Sequence, residues 1–435
     1  MKLSQHLDKG FWALADRGLP FIYAVAQIAV ARELRLEEYG TYVIFQVIFN
    51  MLFAFTDNFA LQAIVKFGVE PEVDLQTLVT VTFVLFLSFL APILILINIF
   101  PSSIAAVLGN SRLGVLFPLL ILYVAASTPR VIFSKVLQMR FRMRDIFFVD
   151  LGNFGLGGLL LGVAVYLHRI NTAGDVIWIT ILSAMVSSIV AIIFGRNHLS
   201  IQFRFSLPMF RRIKEFVRFQ GATGMVSVLQ QNIDSLAVST FTGAAGAAIY
   251  GAAKNVYRMF DVMRDTITLL VFPATSKYHS RNDIVTVRTI LEKAIGFLYL
   301  VLVPLVIFLF LLTPIFFHTL FGAKFDSSIS LFRILVIGTL VLPIQMVFIS
   351  TMVGMGRVRE MFRVILSGFL TNAIATLILL PTIGIMGAAI SFITANVIQS
   401  ILSYRFIRKE IGFRPRFAIS QAWKDAANFL QERIA

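Results

Sequence analysis

Charged side chains set in almost wholly apolar surroundings are the residues of this sequence that could do chemistry. Lys254, Arg258, Asp261 and Asp265 recur at i, i+4, i+7 and i+11, a spacing that lines one face of a helix. Arg264 lies at the edge of that face. Cations so arranged can hold an anionic group, and a buried carboxylate can carry a proton. Two readings fit the face. It is a cavity wall whose cations bind an anionic head group, or it is an internal ladder in which Arg258 pairs with Asp261 and Asp265 and only joins helices. Asp16 and Arg17 stand one turn before Pro20, where a missing backbone donor can bend a helix. They fit a gate or a phosphate contact, or else the interfacial start of a helix that begins later. Thr128, Pro129 and Arg130 repeat the proline-plus-cation pattern. Arg130 is expected to be buried. Lys135, a turn lower, is expected to snorkel to the surface.

Further acids and amides follow the same logic. Asp57 and Asp234 are candidates for carrying a coupling ion, with Asp16, Asp261 and Asp265. Asn50, Gln230, Gln231 and Asn232 are candidates for contacting sugar hydroxyls. For the amides the plainer reading is interhelical hydrogen bonding, worth about 0.6–2 kcal/mol per contact. Asp150, early in the fifth span, is open to an interfacial reading. Gly152, Gly155, Gly157, Gly158 and Gly162 resemble a nucleotide-binding loop only superficially, since no strand precedes them. Close helix packing accounts for them better. The five histidines lack paired metal-ligand spacing, and the chain has no cysteine. No catalytic group, metal or cofactor is expected.

These residues must be positioned by membrane helices, each needing about 20 mainly apolar residues. Twelve stretches qualify, near 11–31, 39–65, 78–100, 113–136, 147–167, 176–194, 216–239, 245–274, 295–317, 329–352, 361–380 and 385–406. A charged fraction of 14% with mean hydropathy +0.85 excludes an ordinary soluble domain. The net charge of +15 is spread over many short loops, which speaks against a nucleic-acid partner. With the N-terminus inside, inner segments hold 26 Lys and Arg residues and outer segments 5, the usual bias of cytoplasmic loops. Both termini are therefore expected to be cytoplasmic. The first span lacks a cleavage site and is expected to remain as a helix.

The expected fold is an all-α polytopic membrane protein with two six-helix lobes, 1–194 and 216–406, joined by a basic cytoplasmic linker, 195–215. A basic tail, 407–435, ends in an amphipathic interfacial helix over 420–435. An even number of spans per half gives both halves the same orientation, a parallel repeat with a substrate site between them.

The order of short motifs resembles a known family. Leu34 to Tyr42, then Asp57, then Leu61 to Lys66 resembles the first two helices of Wzx-type polysaccharide-repeat-unit flippases. These belong to the superfamily that also holds multidrug exporters and lipid II flippases. Asn232-Ile233-Asp234 followed by Ala248 to Lys254, then Phe272 to Lys277, is similar to that family's seventh and eighth helices. Leu320-Phe321-Gly322 with Phe325, and Leu380 to Ala389, resemble its tenth- and twelfth-helix approaches. The resemblance implies a two-lobed transporter in the cytoplasmic (inner) membrane of a prokaryote. It would move an undecaprenyl-pyrophosphate-linked oligosaccharide from the inner to the outer leaflet by alternating access, coupled to H+ or Na+. Arg17, Arg130, Lys254, Arg258 and Arg264 would hold the pyrophosphate while the lipid tail stays in the bilayer. Membrane lipids and a polysaccharide polymerase are the implied partners.

Three competing readings are weaker. A multidrug exporter on the same fold takes mostly cationic substrates, which the span cations disfavour, though the four acids Asp57, Asp234, Asp261 and Asp265 keep it open. A membrane glycan polymerase or ligase needs a sizeable outer loop bearing catalytic Arg or His. A non-transporting scaffold leaves the charged face without purpose.

Overall fold

A computed structural model describes residues 3–197, 199 and 202–414, and among them the chain is helical with no strand. The helices are α1 (Leu3–Glu33), α2 (Leu36–Phe67), α3 (Leu75–Ile99), α4 (Arg112–Met139), α5 (Met143–Tyr166) and α6 (Ala173–Gly195). The run Leu207–Tyr257 is two helices meeting at a kink, because Gly243 has φ 72 and ψ −170. An unbroken helix of 51 residues would be about 77 Å long, far beyond a bilayer core of about 30 Å. We label its arms α7 (207–242) and α8 (244–279), the latter interrupted at Arg258. There follow α9 (Ile284–Leu320), α10 (Ser327–Gly354), α11 (Val358–Ile383) and α12 (Ile385–Ile411). Among the described residues ten segments are long and apolar enough to cross a membrane, counting Gly221–His279 as one and without α1.

Exposed aliphatic side chains confirm the solvent these helices are built for. Ile307, Phe308, Leu311 and Ile315 on α9, and Ile374, Leu377 and Ile378 on α11, are outward-facing at helical spacing. Such continuous apolar stripes belong against lipid, not water. The chain is an all-α multi-pass membrane protein.

Two helices start earlier than hydropathy alone implies. α9 begins at Ile284, because Asp283 caps it by accepting the Thr286 N–H at 3.0 Å, and its first charged turns remain helical. α7 begins at Leu207, so part of the expected linker is helix. The tail helix expected over 420–435 lies outside the described residues.

The chain divides into two compact units, Met1–Ala248 and Ile249–Ala435. In the first, α1 packs along α5 and α4 along α6. Glu38 joins three helix starts: it pairs with Arg112 and accepts the Ala173 N–H at 2.8 Å. That N–H is one of the donors a helix start leaves unpaired. Beside it, Gly40 lets α2 approach α8 so closely that a Cβ would run into the Ala244 carbonyl. Gly40→Ala is therefore expected to destabilise the protein by about 1–3 kcal/mol. Thermal unfolding in detergent checks this, with Gly18→Ala, whose Cβ meets nothing within 4 Å, expected to behave as wild type. In the second unit α11 and α12 pair along their length, and α8 packs on α10. Ile267, Val271, Leu291, Val347, Phe348, Met352 and Ile407 form its core.

Candidate functional site

Two clusters of charged side chains in the first unit each stand at a π-helical turn. In α2 the turn spans Asp57–Leu61. In α5 it spans Leu151–Gly155, immediately after Asp150. A π turn widens the helix, re-aims its side chains and is frequent at functional sites. At the first turn, Asn58 donates to the Ala54 carbonyl at 2.7 Å, and Gln62 donates to Asp57 Oδ2 at 2.7 Å. Glycines 221 and 224 of α7 leave the room that Asn58 and Phe59 occupy.

Lys135 corrects one expectation. Its Nζ lies 2.6 Å from Asp57 Oδ1, and the side chains are only 16% and 28% exposed. It does not snorkel, because a carboxylate within reach is a better partner for a half-buried ammonium than a distant interface. Asp150 accepts Arg130 Nη2 at 2.6 Å and Nε at 3.2 Å. Arg130 also faces the Phe154 ring at 5.3 Å, a favourable cation–π approach.

Ser188 of α6 aims Arg130. Its hydroxyl donates to the Ala126 carbonyl at 2.5 Å and accepts the Arg130 N–H at 3.1 Å. A side chain is thus wedged into the α4 ladder beside Pro129, a recognised cause of helix kinks. The Asp16 carboxyl neighbours that of Asp150, with Arg17 and Arg130 as the nearby cations. So Asp16 and Arg130, distant in sequence, share one cluster, and Asp57 does not join it.

Elsewhere in the first unit, Asp234 is fully buried and accepts the Ser235 N–H at 2.9 Å. Gln230 and Asn232 are buried, and Asn232 donates to the Val228 carbonyl of its own helix at 2.8 Å. Gln231 is exposed and donates to the Ser227 hydroxyl, and Asn50 is exposed.

The second unit holds Lys254, Arg258, Asp261 and Arg264. Lys254 is only 6% exposed, with its ammonium 5.0 Å from the Phe392 ring and 5.6 Å from that of Tyr250. At Arg258 the ladder tightens: Arg258 N–H bonds the Lys254 carbonyl, but Asp261 N–H bonds the Arg258 carbonyl. A turn of i→i−3 type advances more per residue than the α-helix, which shifts the acids relative to Lys254 and Arg258. Asp261 pairs with Arg264, the residue expected at the edge. The Asp265 side chain lies outside the described residues.

Arg333 on α10 is a span cation to which sequence reasoning assigned no part. Its Nε donates to the Phe310 carbonyl at 3.3 Å. Pro314, four residues on, cannot supply the helical N–H that carbonyl would otherwise receive, and this is the available signal. Among the described residues no group of three or more His, Asp or Glu is placed to hold a metal.

Residues 29–330 match the family described as polysaccharide biosynthesis protein. The lipopolysaccharide biosynthesis protein WzxC of Escherichia coli is 24% identical over 239 residues, 53% of this chain and 47% of that one. The chain's match spans less than half the length of its curated relatives. An inward-facing multidrug resistance MATE transporter of the MOP superfamily is similar at TM-score 0.78 and 16% identity, over 92% of this chain and 98% of that one. The lipid II flippase MurJ, in its inward closed conformation, is similar at TM-score 0.76 and 13% identity, over 95% and 90%. With more than half its length matched, the chain belongs to the family described as polysaccharide biosynthesis protein.

Proposed function

We propose that this protein is a flippase that moves an undecaprenyl-pyrophosphate-linked oligosaccharide from the inner to the outer leaflet of a prokaryotic cytoplasmic membrane. Twelve crossings in two six-helix lobes, with both termini cytoplasmic, would present the site alternately to each side. The observation that carries the reading is a lysine kept at membrane depth: Lys254, 6% exposed between aromatic rings. An ammonium set among aromatic rings at that depth suits the charge-assisted binding of a diphosphate. Arg258, Arg264, Arg130 and Arg17 are the further cations for that group. Gln230, Gln231, Asn232 and Asn50 are the amides for the glycan.

Asp16 is the coupling carboxyl we favour, because it stands beside Asp150, the carboxylate that pairs with Arg130, and next to Arg17. Loss of its proton would set a second carboxylate beside the Arg130–Asp150 pair, and Pro20 stands one turn on in the same helix. Asp57, Asp234, Asp261 and Asp265 are the other acids of the coupling set. The competing reading is a multidrug exporter, and the MATE-like fold suits it equally.

The test is the leaflet in which the lipid-linked glycan accumulates when the gene is deleted. Cytoplasmic-face accumulation relieved by the wild-type protein supports the flippase. Asp16→Asn is expected to bind substrate but lose the dependence of flux on an imposed pH gradient. Normal outer-face exposure in the deletion strain, together with sensitivity to cationic drugs, favours the exporter.

A further inference from the structure

We propose that a groove in the first unit holds the isoprenoid chain of a polyprenyl phosphate, with the phosphate at Arg144. This deepens the transport reading by giving the lipid a docking position that precedes transfer of its head group to the cations named above, and rests on that reading. The groove has a volume of about 1010 Å³ between α1, α5 and α6, with walls that include Val25, Leu156, Leu159 and Ile193. Every lining side chain is apolar, and its floor is the glycine face of α5: Gly152, Gly155, Gly158 and Gly162.

These glycines are not all explained by helix packing. A Cβ at Gly152 would press on Ser187 at 3.1 Å, and one at Gly157, outside the groove, on Ser183 at 3.0 Å. A Cβ at Gly162 would meet nothing within 4 Å. Glycine is a poorer helix former than alanine, so position 162 gives up helix stability with no neighbouring helix requiring it. What the glycine preserves is the open track. From Phe148 to Gly162 the track runs about 21 Å, most of the depth of a bilayer core of about 30 Å. At that depth hydrocarbon is the matching occupant. A methyl-branched chain, wider than a straight acyl chain, needs a floor cleared of side chains.

The charge lies at one end of the track. Arg144 is exposed, with its guanidinium 5.9 Å from the ring of Phe148, a lining residue, and 5.9 Å from that of Trp12. Tryptophan is typical of the membrane interface, where its ring sits at head-group level. A phosphate held there by Arg144 leaves its chain pointing into the groove.

The experiment uses the full chain in vesicles of phosphatidylethanolamine and phosphatidylglycerol, with a polyprenyl phosphate carrying a photoreactive diazirine on its isoprenoid chain. Labelled peptides are located by mass spectrometry, and flipping is measured in the same vesicles. Labels are expected on α1, α5 and α6 along the groove, displaced by unlabelled polyprenyl phosphate and not by added phosphatidylglycerol. Gly162→Leu fills open space and is expected to unfold at the wild-type temperature while labelling falls about tenfold, the loss of roughly two buried methylenes. Leu159→Trp fills the groove from its exposed side and gives the same result if Gly162→Leu is unstable. Labelling displaced equally by phosphatidylglycerol, or unchanged in both variants, overturns the proposal. A wild-type protein that flips without groove labels overturns the groove alone. One that does not flip overturns the transport reading itself.

Discussion

Replacing Lys254 by methionine stops outer-leaflet appearance of the lipid-linked glycan while the protein stays folded in the membrane at its normal level. The side chain is buried against Phe392 and Tyr250, and methionine has the volume and polarity that surrounding accepts. Swapping a buried charge for an apolar side chain of similar size is often neutral or stabilising, so the variant separates the charge from the packing. Losing a desolvated, charge-assisted phosphate contact costs about 2–5 kcal/mol. That is a drop in flux of roughly 30-fold to several thousand-fold. Lys254→Arg retains the charge and is expected to keep measurable flux. The measurement is the rate at which the glycan becomes accessible to an externally added lectin in reconstituted vesicles. Wild-type flux in Lys254→Met would remove the anion site from this helix.

Asp57→Ala lowers stability by about 3–5 kcal/mol, because it leaves the Lys135 ammonium inside the unit without its carboxylate. The pair is 2.6 Å apart and mostly shielded. The double variant Asp57→Ala with Lys135→Met removes both charges and recovers most of the loss. Thermal unfolding of the two singles and the double, read as a cycle, gives the coupling directly. Additive effects would mean that the pair does not exist in the membrane. Transport by the double variant then decides the role of Asp57. Retained flux in a stable double variant makes the pair a structural fastener, and lost flux in the same variant makes it part of the coupling route.

The sequence by itself determined the kind of molecule this is. Apolar runs of bilayer length can be satisfied only by helices, since a helix closes its own hydrogen bonds. That constraint is local, so the helical membrane fold was readable residue by residue, and the motifs from Leu34 to Tyr42 and from Ala248 to Lys254 carried the family. It also marked Lys254, Arg130 and Asp16 as costly where they stand, because the cost of a charge in hydrocarbon depends on its own surroundings.

Tertiary structure alone decided which charges meet. Asp57 with Lys135, and Arg130 with Asp150 and Asp16, join different helices, and no spacing rule reaches across such separations. The π turns at Asp57 and after Asp150 and the tight turn at Arg258 were equally hidden. Hydropathy counts residues per span but not hydrogen bonds per turn, so a stripe drawn at a constant 100° loses its register wherever the ladder changes. The use of Gly162 was hidden for the same reason. A glycine that lets helices touch and one that keeps a track open are the same letter, and only the neighbouring atoms, or their absence within 4 Å, tell them apart.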